Sequence, residues 1–96
     1  MPAQGAVSIA STATVIAASN EGRTHIKWVN TSAVTIWIGL DSTVTTASGD
    51  PFEPGEHFIS ERLTTNHDTY YTGAYYGIVT TGTADSRVIE QERIRR

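Results

Sequence analysis

The chain has 96 residues, no cysteine, seven basic and ten acidic side chains, and a formal net charge of −3. A single domain of this length buries only about 60–65% of the surface its unfolded chain exposes. Without thiols, neither a disulfide nor a zinc–thiolate site can reinforce it, so association with copies of itself or with a larger assembly is the expected source of extra stability. Charge is unevenly placed. Residues 1–92 hold four basic against ten acidic side chains, a net −6, while Arg93-Ile94-Arg95-Arg96 holds three of the seven cations. An acidic body lacks the basic face that phosphate neutralisation needs, which argues against nucleic acid as a partner. The start, Met1-Pro2-Ala3-Gln4-Gly5-Ala6-Val7, has neither the basic nor the apolar region of a secretory signal. No apolar run approaches the roughly 18 residues that a membrane-spanning helix requires.

Thr, Ser, Gly, Val and Ile dominate, and β-branched residues favour the pleated, half-buried surface of a strand. Val7-Ser8-Ile9-Ala10 and Ala13-Thr14-Val15-Ile16-Ala17 are read as one or two N-terminal strands. Asn20-Glu21-Gly22 follows as a turn, with Gly22 free to take a positive φ. From Thr24 to Asn30, alternation sets Ile26 and Trp28 toward the core and His25, Lys27 and Val29 on the other face. Thr31-Ser32-Ala33 has the length of a hairpin loop. In the next strand Val34, Ile36 and Ile38 share one face and Thr35 and Trp37 the other. Trp37 thus implies either a strand covered on both faces or an exposed, interfacial patch.

Asp41 to Pro54 is a long, weakly patterned stretch anchored by Val44 and Phe52, of the kind that is often functional or interfacial. Pro54-Gly55 is a turn signal. His57 to Ser60 is a short strand, and Glu61 to Asp68 a polar loop. Tyr70 to Val79 supplies one or two strands, with Gly73 expected as a bulge or bend. Thr81-Gly82-Thr83 turns the chain into a last strand from Ser86 to Glu90. Several short strands separated by turn signals predict an all-β fold: a small antiparallel β-sandwich or barrel, jelly-roll-like. The expected organisation is one domain over 1–92, with an extended N-terminal segment as an option, and a basic tail over 93–96.

Catalytic and cofactor signatures are weak. His25, His57 and His67 lack the short spacing of zinc or iron ligands, and no serine sits in a Gly-x-Ser-x-Gly elbow. Gly73, Gly77 and Gly82 are too dispersed to cradle a phosphate. Asp41, Asp50 and Glu53 lack the alternating spacing of a calcium loop. The expectation is no enzyme activity, no metal and no cofactor. Aromatic residues carry more information. Tyr70-Tyr71 and Tyr75-Tyr76 are adjacent pairs, and neighbours in a strand point to opposite faces, so half of them lie outside a one-sided core. Either the strands are covered on both faces and the rings belong to a two-sided core, or the outer rings mark an interface or a sugar-stacking platform, as aromatic rings outside a core commonly do. Candidate contact residues are therefore Trp37, Phe52, Tyr71 and Tyr75. The N-terminal segment and the tail cations Arg93, Arg95 and Arg96 are candidate reaching arms.

Taken together, Asn20-x-x-Arg23, Ile26-x-Trp28-x-Asn30-Thr31-Ser32, a strand ending near Gly39, Phe52-x-Pro54-Gly55-Glu56, Tyr75-Tyr76-Gly77-Ile78, and Gly82-Thr83-Ala84 with Val88-x-Glu90 resemble small virion structural proteins of tailed bacteriophages. These pieces extend over about residues 12–91. The resemblance implies a compact β-sandwich on the phage particle, made in the host cytoplasm and placed on the virion as a capsid decoration or cement protein. Its implied partners are the major capsid protein or another virion protein, together with copies of itself, trimers being the common arrangement. A neck or tail component, or a carbohydrate-binding module on the virion surface, are the alternatives.

Overall fold

A computed structural model describes residues 3–61 and 71–92. Eight strands run through the described residues: β1 (Ala3–Ala10), β2 (Thr14–Ala17), β3 (Arg23–Asn30), β4 (Ile36–Gly39), β5 (Asp50–Phe52), β6 (His57–Glu61), β7 (Tyr75–Ile78) and β8 (Thr83–Glu92). They form two antiparallel sheets, ordered β1-β8-β3-β6 and β2-β7-β4-β5. The pairs β1–β8, β2–β7, β3–β6 and β4–β5 are all hydrogen-bonded, so the strand numbers in each pair add to nine. That is one long hairpin, β1 to β4 against β5 to β8, rolled up so that alternate rungs fall in opposite sheets. The result is a jelly-roll β-sandwich, the all-β fold expected from the strand and turn pattern.

Alternation places the core. In β3, Ile26 and Trp28 are buried and Lys27 is exposed, as the pattern predicts. Ile36 and Ile38 of β4, Tyr75 of β7, Ile9 of β1 and Ala84 of β8 complete the interior from both sheets. An aromatic chain crosses it. Trp28 stacks on Phe58 (5.7 Å between centroids) and meets Phe52 edge-on (5.5 Å), while Phe58 stacks on Tyr75 (5.1 Å).

Two bulges change what alternation alone would give. Between Arg23 and His25 the β3–β8 register shifts by one residue, which turns Arg23 from the outer face, where its parity would put it, to the inside. There its side chain has no exposed surface. Nε donates to Glu90 Oε2 (2.6 Å), one terminal nitrogen to the carbonyl of Gly73 (2.8 Å), and the other to the carbonyl of Ala18 (2.9 Å). Its guanidinium also lies 5.3 Å from the centre of the Tyr75 ring. The second bulge, between Val15 and Ala17, allows the consecutive residues Ile16 and Ala17 both to be buried.

At the opposite end of β3, Asn30 is equally buried. Its Nδ2 donates to the carbonyls of Val34 (2.8 Å) and Phe52 (2.9 Å), and its Oδ1 accepts from the N–H and hydroxyl of Ser32. Its backbone bonds the turn between β5 and β6 through Glu56 O and Gly55 N–H. In that turn Pro54 precedes Gly55 at φ +87°, and Glu56 N–H closes on Glu53 O, the type II geometry that Pro-Gly signals.

Three local expectations are corrected. Thr31-Ser32-Ala33 is not a hairpin loop: β3 and β4 lie in different sheets, and Asn30 holds the connection as it crosses between them. Gly22 does not take a positive φ; the glycines that do are Gly55 and Gly82. Gly73, expected as a bulge or bend, is a bend ahead of β7, and the Tyr71 ring occupies the space a Cβ would need there. The stretch from Asp41 to Pro54 contains a strand, β5, although Val44 and Phe52 do anchor it. The polar loop after Glu61, with His67 and Tyr70, and the tail Arg93, Arg95 and Arg96 lie outside the described residues.

Replacing Arg23 strands a carboxylate and two carbonyls in the interior. Arg23→Met is therefore expected to cost about 3–5 kcal/mol in urea denaturation. Adding Glu90→Leu should recover part of that loss, because the uncompensated charge is then removed as well. Equal and additive losses would show that the two side chains do not act as a pair.

Candidate interaction surface

The outer faces of the two sheets differ in chemistry. On the β1-β8-β3-β6 sheet, Asp85, Arg87, Lys27, His25 and His57 share the outward parity with Ile59 and Ile89. Asp85 and Arg87 pair at 2.6 Å on the surface. On the β2-β7-β4-β5 sheet, the outward row Val15–Tyr76–Gly39 lies beside the row Ile78–Trp37–Pro51. None of these six residues is charged. Val15 and Pro51 are exposed, and Trp37, Tyr76 and Ile78 are half-buried. Leu40, 55% exposed, extends the apolar surface past Gly39.

The loop after β4 covers one margin of this surface. Val44 is buried there, with its side chain where a Cβ on Gly39 would have to sit. Gly49 lies close against Trp37: a Cβ at that position would come within 2.7 Å of the Trp37 Cβ. Trp37 thus satisfies both readings of the sequence at once. Its base is packed under the loop, and its ring belongs to a surface shared with Ile78 and Pro51. Pro51 is tolerated because β5 is the last strand of its sheet and needs no further N–H donor.

Of the predicted contact residues, Trp37 is the one placed on this surface. Tyr75 is corrected: at 9% exposure it is a core ring, held by Phe58, Tyr71 and Arg23. Tyr71 and Phe52 are half-buried and packed against the same cluster, and the Tyr71 hydroxyl donates to the carbonyl of Ala74 at 2.7 Å. The N-terminal segment is no free arm over Ala3–Ala10, because it pairs with β8 along its whole length. Tyr76, Ile78, Val15 and Pro51 are the surface residues that sequence reasoning missed. Alternation held the signal for Tyr76, since one member of the Tyr75-Tyr76 pair had to face outward.

No site of concentrated chemistry competes with this surface among the described residues. No group of three or more His, Asp or Glu stands close enough to hold a metal ion. His25 and His57 occupy rows four residues apart on the sheet, about 13 Å, too far to share a ligand. Two exposed carboxylates are held below their ordinary range. The hydroxyl and N–H of Thr43 do this for Asp41, and hydrogen bonding from Arg87 does it for Asp85. Both shifts favour the ionised form and so suit neither group to proton donation near neutral pH.

Tyr75→Ala should cost about 3–5 kcal/mol, the range for emptying an aromatic core site. Trp37→Ala should cost about 1–2 kcal/mol, because its ring is only half withdrawn from water. Thermal denaturation of the two variants measures the difference, and equal losses would place Trp37 in the core.

No protein-family model matches this chain, and neither does any curated protein or solved structure.

Proposed function

We propose that this chain is a non-enzymatic structural protein of a tailed-bacteriophage virion, seated on the head as a capsid decoration protein. The observation that carries the reading furthest is the uncharged outer face of the β2-β7-β4-β5 sheet, with Trp37, Tyr76 and Ile78 at its centre. Contiguous exposed apolar surface rimmed by polar residues is the usual mark of a protein contact, and aromatic anchors dominate such contacts energetically. The sequence resemblance supplies the virion context. The fold is compatible with that context without selecting it, since jelly rolls serve in viral capsid domains, lectins and cupins alike.

In this reading the face is pressed against the major capsid protein. Each copy contributes roughly 25 cal/mol per Å² of apolar area removed from water, before the costs of association. Repetition over many sites then reinforces the shell. The opposite sheet, with its charged outer face, remains toward solvent.

Immunogold labelling with antibody to the purified protein, on particles from a lysate that contains it, tests the location. Gold over the heads is the expected result. Gold confined to the neck or tail would move the protein there, and unlabelled particles would overturn the virion reading. In the same preparation, Trp37→Ala should lose particle binding while keeping its β circular-dichroism spectrum. Saturable binding to a glycan array, with particles unlabelled, would instead make the aromatic face a sugar platform.

A further inference from the structure

Two packed sheets have four edge strands, and in this protein three of the four are blunted against pairing with another chain. β2 has four residues and a bulge, β5 has three residues including Pro51, and β6 has five with His57 and Glu61 at its ends. Natural edges are protected by such shortness, bulges, prolines and charges. β1 has none of them. Ala3-Gln4-Gly5-Ala6-Val7-Ser8-Ile9-Ala10 is eight residues long, uncharged and free of proline, and its register against β8 runs without a shift from Ala3↔Glu90 to Ala10↔Thr83. No described strand pairs with its other side.

We propose that this open edge of β1 pairs antiparallel with the same edge of a second copy, joining the two charged-face sheets into one continuous sheet across a two-fold axis at Ala6. The inference does not depend on the virion reading, because it uses a sheet edge rather than the aromatic face.

The backbone geometry selects this register. Ala10 donates its N–H to Thr14 Oγ1 (3.0 Å) and accepts from the N–H of Val79 (3.1 Å), so its peptide groups point away from β8. In an antiparallel pair this direction alternates along the strand, and Gln4, Ala6 and Ser8 therefore present their N–H and C=O groups to the open side. A two-fold pairing must also set inward-facing residues opposite inward-facing ones, which places the axis on a residue and not between two. With the axis at Ala6, Ala6 exchanges both its bonds with Ala6 of the second copy, and Gln4 does so with Ser8 of the second copy. Moving the axis to Val7 would require Ala10 to pair outward, and its groups are already engaged by Thr14 and Val79.

The chemistry of β1 favours its own copy as the occupant. Self-pairing brings every side chain opposite a residue of the same strand, and like charges placed opposite each other are destabilising. β1 carries no charge, so the pairing meets no such penalty. Ala6 and Ser8 are exposed, and the added Cβ at Gly5 would meet no atom within 4 Å, leaving the approach open. A closed two-fold contact also uses up the edge in both partners and ends growth at two copies.

Sedimentation equilibrium of the full chain across the micromolar range tests the proposal, with a dimer expected. The Ala6 N–H points away from β8, so Ala6→Pro removes a donor that only the dimer uses, at an edge position where proline is tolerated. It should raise the dissociation constant about tenfold or more with an unchanged β spectrum. A second measurement stands even if that variant folds poorly. The chain has no cysteine, and a hydrogen-bonded antiparallel pair holds its Cα atoms about 5.5 Å apart, within disulfide range. Ala6→Cys should therefore oxidise to a covalent dimer, while Val15→Cys on the aromatic face should not. A monomer at all concentrations, or cross-linking through Val15→Cys with none through Ala6→Cys, would overturn the proposal.

Discussion

The arrangement depends on polar closure at the two ends of β3. A rolled hairpin must pass its connections back and forth between the sheets, and every crossing leaves backbone carbonyls that no ladder can satisfy. Burying such groups without partners costs about 1–3 kcal/mol each. Arg23 supplies three directed donors at one end of β3, and Asn30 supplies two donors and an acceptor at the other. Between them they engage the connections on both sides of β3, the bend at Gly73 and the turn at Gly55. The planar fork of arginine suits its task, because three partners in different directions are beyond a single ammonium.

That closure leaves the interior free to be aromatic. Trp28, Phe52, Phe58, Tyr71 and Tyr75 form a continuous set of ring contacts between the sheets, so a domain of this size gains large buried area from few residues. The remaining aromatic side chains described, Trp37 and Tyr76, lie on the outside of one sheet. The molecule is therefore two-faced, with charge over one sheet and uncharged apolar surface over the other. Such asymmetry suits a protein that presents one side to a partner and the other to water.

Contact through the β1 edge and contact through the aromatic face are geometrically compatible. The edge lies in one sheet and the face on the outside of the other, so neither obstructs the other. One is made of backbone hydrogen bonds and the other of apolar area, and they would respond differently to substitution. With both contacts made as proposed, a small thiol-free domain would gain stability by two separate routes.

Much of the fold was legible in the order of the residues. Period-two alternation assigned Ile26 and Trp28 to the core, exposed Lys27 and set Ile36 and Ile38 on one face, because a strand has only two faces and water decides between them. Val34, placed on that same face, lies before β4 and is exposed. Pro54-Gly55 and Gly82 marked turns, because few residues can adopt the backbone those turns require. Three features were decided only by the tertiary structure. The bulge that turns Arg23 inward is invisible to alternation, since it exists only when β8 is beside β3. Whether Tyr75 or Tyr76 faced outward, and whether Thr31-Ser32-Ala33 joined neighbours or crossed between sheets, likewise depended on which strands met. Local sequence sets the direction of a side chain relative to its own strand. Only the partner strands determine whether that direction leads to the core, to another protein or to water.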